Sequence, residues 1–313
     1  MPKIRVIKPG LQTTIQDAGR FGYEHLGVMI SGWLDDYAAR WANRLIGNMQ
    51  DAAVLEITLL GPELVAEDAG WAALAGADLG ASVNGRAWVP GTSQMLRTAD
   101  RVRFAGIRRG ARAYLAFPGG VLGDEVLGSR STDVVARFGG LQGRALKAGD
   151  IVEYSGGQAR PLQAPVETCL ARSVVRVLPG VRVHRFPPDA LKRLVSSRFR
   201  VSPHSDRVGI RLIGPDVADA MRASDGPSEG MAVGAVEVTA GGELLILLKS
   251  RGSIGGYPTL AHVIRADWPV LAQLKPGDEI GFSLVNVEEA RTALEKLETS
   301  LQSPLIPSDA QRE

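Results

Sequence analysis

Short runs of apolar residues alternate with polar, glycine-rich stretches along most of the chain. Runs of this kind, bounded by turn-forming residues, are typical of β-strands. The runs that predict strands are 4–8, 54–59, 71–76, 101–105, 112–117, 151–154, 174–178, 207–213, 235–238, 243–249, 259–264 and 279–285. The 37 glycines and 18 prolines lie mostly between these runs. Many short strands joined by tight turns are therefore favoured over a helical bundle.

Helical spacing of apolar residues is confined to a few segments. The clearest is 33–46, which places four apolar residues on one face: Leu34, Tyr37, Trp41 and Leu45. A second helix is predicted at 287–301, because Asn286 and Glu289 have the spacing of a capping box. A short helix is also expected after Asp267. The fold class predicted from the whole pattern is mainly β, with a few short helices.

Two similar segments indicate an internal duplication. "LKAGDIVEY" (146–154) is echoed by "LKPGDEIGF" (274–282), and in both a Gly-Asp turn leads into a strand. Each follows a strand that opens into glycines, at 111–120 and at 243–256. The shared order predicts two related, mostly β units, joined through the turn-rich segment 155–167.

The predicted domain limits follow from this duplication. We expect an N-terminal β-barrel domain over 1–160, which carries the helix at 33–46, and a C-terminal β-barrel domain over 170–302. Residues 303–313 are predicted to form a loose tail.

Charge and composition exclude several function classes. The formal net charge is +2, from 36 Lys and Arg against 34 Asp and Glu, so neither nucleic acid nor a membrane surface is predicted as a partner. Cys169 is the one cysteine and the 4 histidines are scattered, which predicts neither a disulfide framework nor a metal site. No apolar run is long enough to span a bilayer and the N-terminus lacks a secretory pattern. We therefore expect a soluble, cytoplasmic protein.

Several nucleotide-binding and catalytic motifs are also absent from the sequence. Gly-Lys followed by Ser or Thr does not occur, so there is no Walker A loop. No glycine triplet has the spacing of a dinucleotide fingerprint, and there is no Gly-x-Ser-x-Gly turn for a nucleophilic serine. If the protein handles ATP or a carrier-bound group, other chains must supply much of the machinery.

Two glycine-punctuated stretches in the first half are candidates for anion binding. In "TTIQDAGRFGYEHLGV" (13–28), Asp17 and Arg20 are spaced to form a pair that would orient the guanidinium towards a carboxylate or phosphate. In "GSRSTD" (128–133), Arg130 and Ser131 follow a glycine, as in loops that bind anions. The alternatives are a structural ion pair and a turn that satisfies its own polar groups.

A third candidate stretch, "VSPHSDRVGIRLIGP", lies in the second half at 201–215. If its apolar face is buried, Arg207 and Arg211 project together from the other face and flank the bare backbone of Gly209. Ser205 would then contact the bound anion, and Asp206 would orient an arginine or act as a base. The alternative is a turn in which these side chains cap their own backbone.

The fourth stretch is "RGSIGGYPTLAHVIRAD" (251–267). Gly255 and Gly256 allow backbone to approach a ligand closely. Tyr257 precedes a proline and is therefore held extended, where its hydroxyl could donate to a developing oxyanion. The alternative is a turn closed by a tyrosine that caps the core.

The motifs, in the order in which they occur along the chain, resemble those of a known family. The shared segments are "TTIQDAGRFGYEHLGV", "SGWLDDYAARWANRLIGN", "AAVLEITLLGP", "ALAGADLGA", "ARAYLAFPGGV", "VLGSRSTD", "GGLQGRALKAGD", "VLPG", "SPHSDRVGIRL", "SEGMAVGAVEV", "GGYPTLAHVIRAD" and "LAQLKPGD". The chain is thereby identified as a member of the KipA / allophanate hydrolase subunit 2 family, which includes the C-type subunit of prokaryotic 5-oxoprolinase and the carboxyltransferase part of urea carboxylase. The resemblance implies two cyclophilin-like β-barrel domains.

The resemblance also implies a function within a complex. The expected partners are a KipI-like subunit (allophanate hydrolase subunit 1) and, for 5-oxoprolinase, a LamB/YcsF-type subunit, which together with ATP open a small amide, 5-oxoproline, to glutamate. One alternative is carboxyl transfer to urea or a similar amide from biotin carried by another protein. A second alternative is a non-catalytic binder that antagonises a KipI-type kinase inhibitor.

Roles for the candidate residues follow from the amidohydrolase hypothesis. Arg20, Arg130 and Arg207 would neutralise phosphate or carboxylate charge. Tyr257, with the backbone of Gly255 and Gly256, would hold the developing oxyanion, while Asp17 and Asp206 would orient the arginines. Family members often have Gln-Thr-Thr before the Gly-Gly-Tyr-Pro segment and a basic residue after it, whereas this chain has 252–254 as Gly-Ser-Ile and Thr259. The departure predicts altered substrate contacts.

Overall fold

A computed structural model describes residues 1–218 and 228–308 of the chain. The chain forms two compact units. The first unit comprises Met1–Arg20, Ser31–Leu170 and Ser300–Glu313, and the second comprises Phe21–Ile30 and Ala171–Thr299. The segment Phe21–Ile30 thus groups with the second unit, although the sequence placed it in the N-terminal domain. A division argued from an internal duplication yields continuous stretches only, so it could not have assigned this segment to the second unit.

The first unit consists of antiparallel strands and one buried helix, α1 (Asp36–Leu45). Its strands are β1 (Lys3–Lys8), β2 (Gln12–Gln16), β3 (Val54–Thr58), β4 (Glu63–Ala66), β5 (Gly70–Asp78), β6 (Ala81–Val83), β7 (Arg86–Ala87), β8 (Thr92–Leu96), β9 (Arg101–Phe104), β10 (Arg109–Ala116), β11 (Ile151–Glu153) and β12 (Leu162–Gln163). They form two sheets, of which one has the order β11-β1-β4-β9-β6-β7 and the other contains β2-β3-β10-β5-β8-β12. A core of buried side chains such as Leu55, Leu74 and Leu115 is shared by these strands.

Helix α1 shows how the first unit satisfies buried polar groups. The Asp35 side chain accepts a hydrogen bond from the Ala38 backbone N–H and caps the helix start. Glu56 is 1% exposed, and its carboxylate accepts hydrogen bonds from the Leu34 backbone N–H (2.9 Å) and from the Tyr114 hydroxyl (2.8 Å). Burial and the charge of Glu56 raise the pKa of Tyr114, which therefore stays a donor.

The second unit is built around a closed barrel. Its strands are β13 (Val174–Pro179), β14 (Phe199–Val201), β15 (Gly209–Ile213), β16 (Glu229–Gly230), β17 (Ala235–Val238), β18 (Leu244–Leu247), β19 (Ile254–Gly255), β20 (Thr259–Val263) and β21 (Glu279–Leu284). Seven of them close the barrel in the order β13-β20-β17-β18-β15-β14-β21, while β16 and β19 form a separate pair. The predicted mainly β fold is confirmed, and the closed barrel belongs to the second unit.

The helices of the second unit are α2 (Ala190–Ser196), α3 (Trp268–Ala272) and α4 (Val287–Leu301), of which the last two residues belong to the first unit. The second unit also has 3-10 turns at Glu24–Leu26, Val183–Arg185 and Arg265–Asp267. The capping box predicted for α4 is confirmed. The Asn286 backbone N–H donates to Glu289 Oε2 (2.8 Å), and the Glu289 backbone N–H donates to Asn286 Oδ1 (2.9 Å). In the described part of the chain, no helix is both long and apolar enough to cross a membrane.

The duplicated Gly-Asp segments adopt the same turn in both units. Asp150 accepts a hydrogen bond from the Lys147 backbone N–H (2.7 Å), and Asp278 accepts the equivalent bond from Lys275 (3.0 Å). The glycine before each aspartate has a φ of 89°, a left-handed conformation that favours glycine. The turns lead into β11 and β21, as the sequence echo predicted.

Part of the C-terminal segment forms a strand, in contrast to the predicted loose tail. Strand β22 (Ile306–Pro307) pairs with β12 and adds an edge strand to the larger sheet of the first unit. Arg44 donates to the Leu301 and Ser303 carbonyl oxygens just before this strand. Residues 309–313 of the predicted tail lie outside the described residues.

Candidate functional site

The two polar stretches of the first half come together around the Asp17 carboxylate, within the first unit. Its Oδ1 accepts hydrogen bonds from the Ser129 hydroxyl (2.5 Å), the Ser131 hydroxyl (2.6 Å) and the Gly19 backbone N–H (2.9 Å), and Oδ2 accepts from the Arg130 backbone N–H (2.5 Å). The Arg130 backbone N–H lies in the loop predicted to bind an anion, and it is thus occupied by a carboxylate of the chain itself. The Arg130 side chain turns outward and pairs with Glu125 at 2.9 Å.

Arg20 is buried beside this cluster but does not pair directly with Asp17. Its Nη2 donates to the Ser131 carbonyl oxygen (2.5 Å), and its guanidinium stacks over the Phe138 ring at 4.7 Å. Burial lowers the pKa of Arg20, and the Asp17 and Asp133 charges oppose that shift. Within the described residues, Arg20 Nη1 has no hydrogen-bond partner although Arg20 is 1% exposed. The predicted Asp17–Arg20 pair is therefore corrected: Asp17 holds the 129–131 loop, and Arg20 contacts that loop's backbone.

The stretch at 201–215 is largely a turn that caps itself. Asp206 Oδ1 accepts hydrogen bonds from the Val208 and Gly209 backbone N–H groups (2.8 and 3.2 Å). The Ser205 hydroxyl accepts from the Arg211 N–H (3.1 Å) and donates to the Arg211 carbonyl oxygen (3.4 Å). Both side chains are used in holding the local backbone.

The two arginines of this stretch do not flank a bare surface, which corrects the prediction. Arg207 is 5% exposed, whereas the Arg211 side chain is 46% exposed and lies 3.6 Å from Glu243. The space over Gly209 is filled from the adjacent strand β18, because a Cβ placed on Gly209 would lie 2.7 Å from Leu245 Cδ1. The sequence of a single strand could not show which side chain a neighbouring strand would place there.

Tyr257 and Gly256 line a cavity of about 270 Å³ in the second unit. We call it the Tyr257 cavity. The polar and charged side chains that line it are Arg182, Arg185, Glu229, Glu237, Tyr257, Thr259 and His262. Gly255 lies next to this lining, in β19, where it pairs with Glu229 of β16. Of the residues predicted to act with Tyr257, Asp206 and Arg207 are not part of the cavity lining, so the structure does not bring them together there.

Several titratable side chains line the Tyr257 cavity. Burial, reinforced by the Glu229 charge, raises the pKa of Glu237 to about 7. Burial lowers the pKa of His262, with the Glu229 charge opposing that shift, so the imidazole is favoured in its neutral form. Glu229 itself pairs with Arg182 at 3.0 Å. The cavity therefore presents a carboxyl group that can change protonation state near neutral pH.

The pairing of β17 with β20 shifts register next to Glu237. β17 and β20 pair through Val236 and Ala261, but the next pair is Glu237 with Thr259, so Leu260 is passed over. Such bulges redirect side chains and are common beside functional sites. All four residues of β17 are buried, so both faces of the strand are covered.

The site residues predicted from the sequence do not include Glu237, His262, Arg182 or Arg185. A signal was available for two of them, because Glu237 interrupts the apolar run "AVEV" and His262 interrupts "TLAHV". A titratable residue within a buried strand is unusual and points to a site. No comparable signal marks Arg182 or Arg185, since exposed arginines in loops are common.

Comparisons with known proteins agree with this architecture. Residues 26–284 match the family model described as "carboxyltransferase domain, subdomain A and B". The chain is 35% identical to the C-type subunit of 5-oxoprolinase from Escherichia coli over 293 residues, which cover 93% of this chain and 94% of that protein. These matches span well over half of the chain.

Solved structures give the same assignment. The crystal structure of TTHA0988 superposes with a TM-score of 0.82 and 37% identity, covering 90% of this chain and 56% of that one. The Kluyveromyces lactis urea carboxylase superposes with a TM-score of 0.85 and 29% identity, covering 96% of this chain and 29% of that one. This chain thus corresponds to only part of both solved proteins. The family resemblance found in the sequence is confirmed: the chain belongs to the carboxyltransferase-domain family that contains the C-type subunit of 5-oxoprolinase.

Proposed function

We propose that the chain is the C-type subunit of an ATP-dependent amidohydrolase complex that opens 5-oxoproline, or a closely related small amide, to glutamate. The observation that carries this proposal is the end-to-end match to the Escherichia coli 5-oxoprolinase subunit, at 93% and 94% coverage of the two chains. The proposed partners are a KipI-like subunit and a LamB/YcsF-type subunit. ATP would bind to a partner, because this sequence has no Walker A loop.

The Tyr257 cavity supports this substrate class. Its volume of about 270 Å³ suits a small molecule. 5-Oxoproline carries a lactam, which needs hydrogen-bonding and proton-transferring groups, and a carboxylate, which needs a cation. The cavity lining supplies the Tyr257 hydroxyl, the Glu237 carboxyl and two arginines, Arg182 and Arg185. In this proposal the anion-binding role passes from Arg130 and Arg207 to Arg185, because Arg185 lines the same cavity as Tyr257. Arg182 also lines it but is paired with Glu229.

Reconstitution of the subunits tests the proposed activity. We expect the complex to hydrolyse ATP and release glutamate when 5-oxoproline is added, and not when urea or allophanate is added. Tyr257→Phe should lower turnover by about 100-fold, the effect of removing one oxyanion donor. Tyr37→Phe is the matched control, since the Tyr37 hydroxyl contacts Ser300 and lies outside the Tyr257 cavity. A complex without 5-oxoproline-dependent turnover contradicts the proposal.

Carboxyl transfer is the second candidate function. It is favoured by the description of the matching family and by the superposition on Kluyveromyces lactis urea carboxylase. The chain contains no Met-Lys-Met sequence for biotin attachment, so carboxybiotin would arrive on another protein. This function predicts turnover that depends on bicarbonate and is inhibited by avidin, whereas the amidohydrolase predicts neither.

A further inference from the structure

A buried carboxyl group that no described residue pairs with lies in the wall of the Tyr257 cavity. Glu237 is 3% exposed. Among residues 1–218 and 228–308, no group donates a hydrogen bond to its carboxyl oxygens and no cation pairs with it. Buried carboxyl groups in folded proteins are ordinarily hydrogen-bonded or paired, and an exception indicates a functional role or a ligand.

The other charged and titratable groups around this carboxyl are few. They come from the 3-10 turn at 183–185 and the residue before it, from β16, from β20 and from the segment before β20: Arg182, Arg185, Glu229, His262 and Tyr257. Arg182 is already paired with Glu229. Arg185 lines the same cavity, and in the described part of the chain no carboxylate pairs with its guanidinium. One acid and one cation are therefore available to a ligand.

We propose that Glu237 donates a proton to the amide nitrogen of the substrate as its C–N bond breaks, while Arg185 binds a carboxylate of the same molecule. This inference rests on the proposed function and names residues for it. The electron pair of the C–N bond passes to nitrogen, which takes the proton from the Glu237 carboxyl. Water supplies the hydroxyl group that remains on the carbonyl carbon, and its other proton recharges the Glu237 carboxylate. The products are an amine and a carboxylic acid.

The surroundings of Glu237 favour an acid over a permanent carboxylate. Burial and the Glu229 charge hold the pKa of Glu237 at about 7, so a large fraction is protonated at neutral pH. The neutral His262 imidazole adds no positive charge that would stabilise the carboxylate. A group with a pKa near the working pH is the most effective proton donor and acceptor.

Arg185 restricts the substrate class to amides that carry an anionic group. A guanidinium binds a carboxylate through paired hydrogen bonds, which gives both affinity and orientation. A neutral amide such as urea or 2-pyrrolidinone would reach Glu237 but leave Arg185 without a partner. The structure therefore predicts that a carboxylate-bearing lactam is preferred over its neutral analogue.

The test uses the reconstituted complex and measures glutamate release from 5-oxoproline between pH 5.5 and pH 9. For the unaltered complex, kcat should fall above about pH 7. Glu237→Gln should lower kcat by about 100-fold and abolish that pH dependence. Arg185→Ala should instead raise KM about 10-fold or more with a smaller change in kcat. The control is Glu288→Gln, whose side chain is 81% exposed on α4. A Glu237→Gln complex with unchanged kcat and pH profile overturns the proposal.

A second measurement on the full chain alone separates failure of this inference from failure of the proposed function. The carboxyl signal of Glu237 is the one that disappears in Glu237→Gln. When this signal is followed by infrared or NMR titration of the unaltered chain, its midpoint should lie near pH 7. Calorimetry should show that 5-oxoproline binds at least 10-fold more tightly than 2-pyrrolidinone, and that Arg185→Ala removes the difference. If these results hold but the complex does not turn over 5-oxoproline, only the assigned function fails. A titration near pH 4.5, or equal binding of both probes, overturns the inference itself.

Discussion

Two carboxyl groups in this chain have contrasting surroundings. The Asp17 carboxylate accepts hydrogen bonds from two serine hydroxyls and two backbone N–H groups. The Glu237 carboxyl accepts none from the described residues, and burial holds its pKa at about 7. Hydrogen bonds compensate the loss of solvent around a charge, whereas burial without them favours the neutral form. We therefore assign a structural role to Asp17 and a proton-transfer role to Glu237.

The raised pKa of Glu237 predicts that the free energy of unfolding falls as pH rises. The folded state holds its proton up to about pH 7, whereas the unfolded chain releases it near pH 4.5. Folding is therefore progressively disfavoured as pH rises through this window, by up to about 3 kcal/mol. The Gln side chain of Glu237→Gln cannot ionise. The free energy of unfolding of this variant, relative to that of the unaltered chain, should therefore rise by about this amount from pH 4 to pH 8. Urea unfolding of both chains at the two pH values measures it, and a difference that does not vary with pH contradicts the assignment.

The hydrogen bonds to Asp17 predict that a small substitution at this position causes a large loss of stability. Asp17→Asn keeps the size of the side chain but replaces one acceptor oxygen by an NH2 group. This NH2 group would face the hydroxyl or N–H donors that now bind the carboxylate. We expect the free energy of unfolding to fall by about 3 kcal/mol. Arg130→Ala is the comparison, because its exposed pair with Glu125 should contribute less than about 1 kcal/mol. Similar losses for both variants, measured by urea unfolding, would show that Asp17 does not organise the loop.

Local sequence patterns predicted the boundaries of some helices and strands well and missed others entirely. The helix predicted at 33–46 is observed at Asp36–Leu45, because helical spacing and the cap are properties of neighbouring residues. Strand β22 was missed, since Ile306–Pro307 becomes a strand only through its pairing with β12. The bulge between Val236 and Glu237 was missed for the same reason. Pairing of distant segments leaves no periodic trace in the sequence.

The capping box of α4 predicts a measurable contribution to stability. Asn286→Ala removes the acceptor for the Glu289 backbone N–H and should lower the free energy of unfolding by about 1 kcal/mol. Asn286→Asp preserves the acceptor and should restore most of the loss. Glu295→Ala, at an exposed position in the middle of α4, should change stability by less than half as much. Equal effects of the alanine variants at 286 and 295 would rule out a specific contribution from the cap.

For the whole molecule, the family and the fold class could be predicted from the sequence, but only part of the cavity could. Tyr257 and Gly256 were found because a Gly-Gly-Tyr-Pro segment has an unusual local backbone. Glu237 and Arg185 come from separate elements that meet only when the barrel closes. Conversely, Arg207 and Arg211 belong to one short stretch but not to one surface, because β18 covers Gly209. Which distant side chains share a cavity is decided by barrel closure rather than by sequence spacing.

In the proposed complex, this chain binds the substrate and a partner subunit binds ATP, which predicts how the isolated chain behaves. Because the sequence has no Walker A loop, the purified chain should bind 5-oxoproline in the Tyr257 cavity but hydrolyse no ATP. Addition of the KipI-like and LamB/YcsF-type subunits should bring ATP turnover that depends on 5-oxoproline. In that mixture Arg185→Ala should weaken the response to 5-oxoproline while the assembled complex, followed by size-exclusion chromatography, stays intact. ATP hydrolysis by the isolated chain would show that it contains a nucleotide site of its own and would contradict this division of labour.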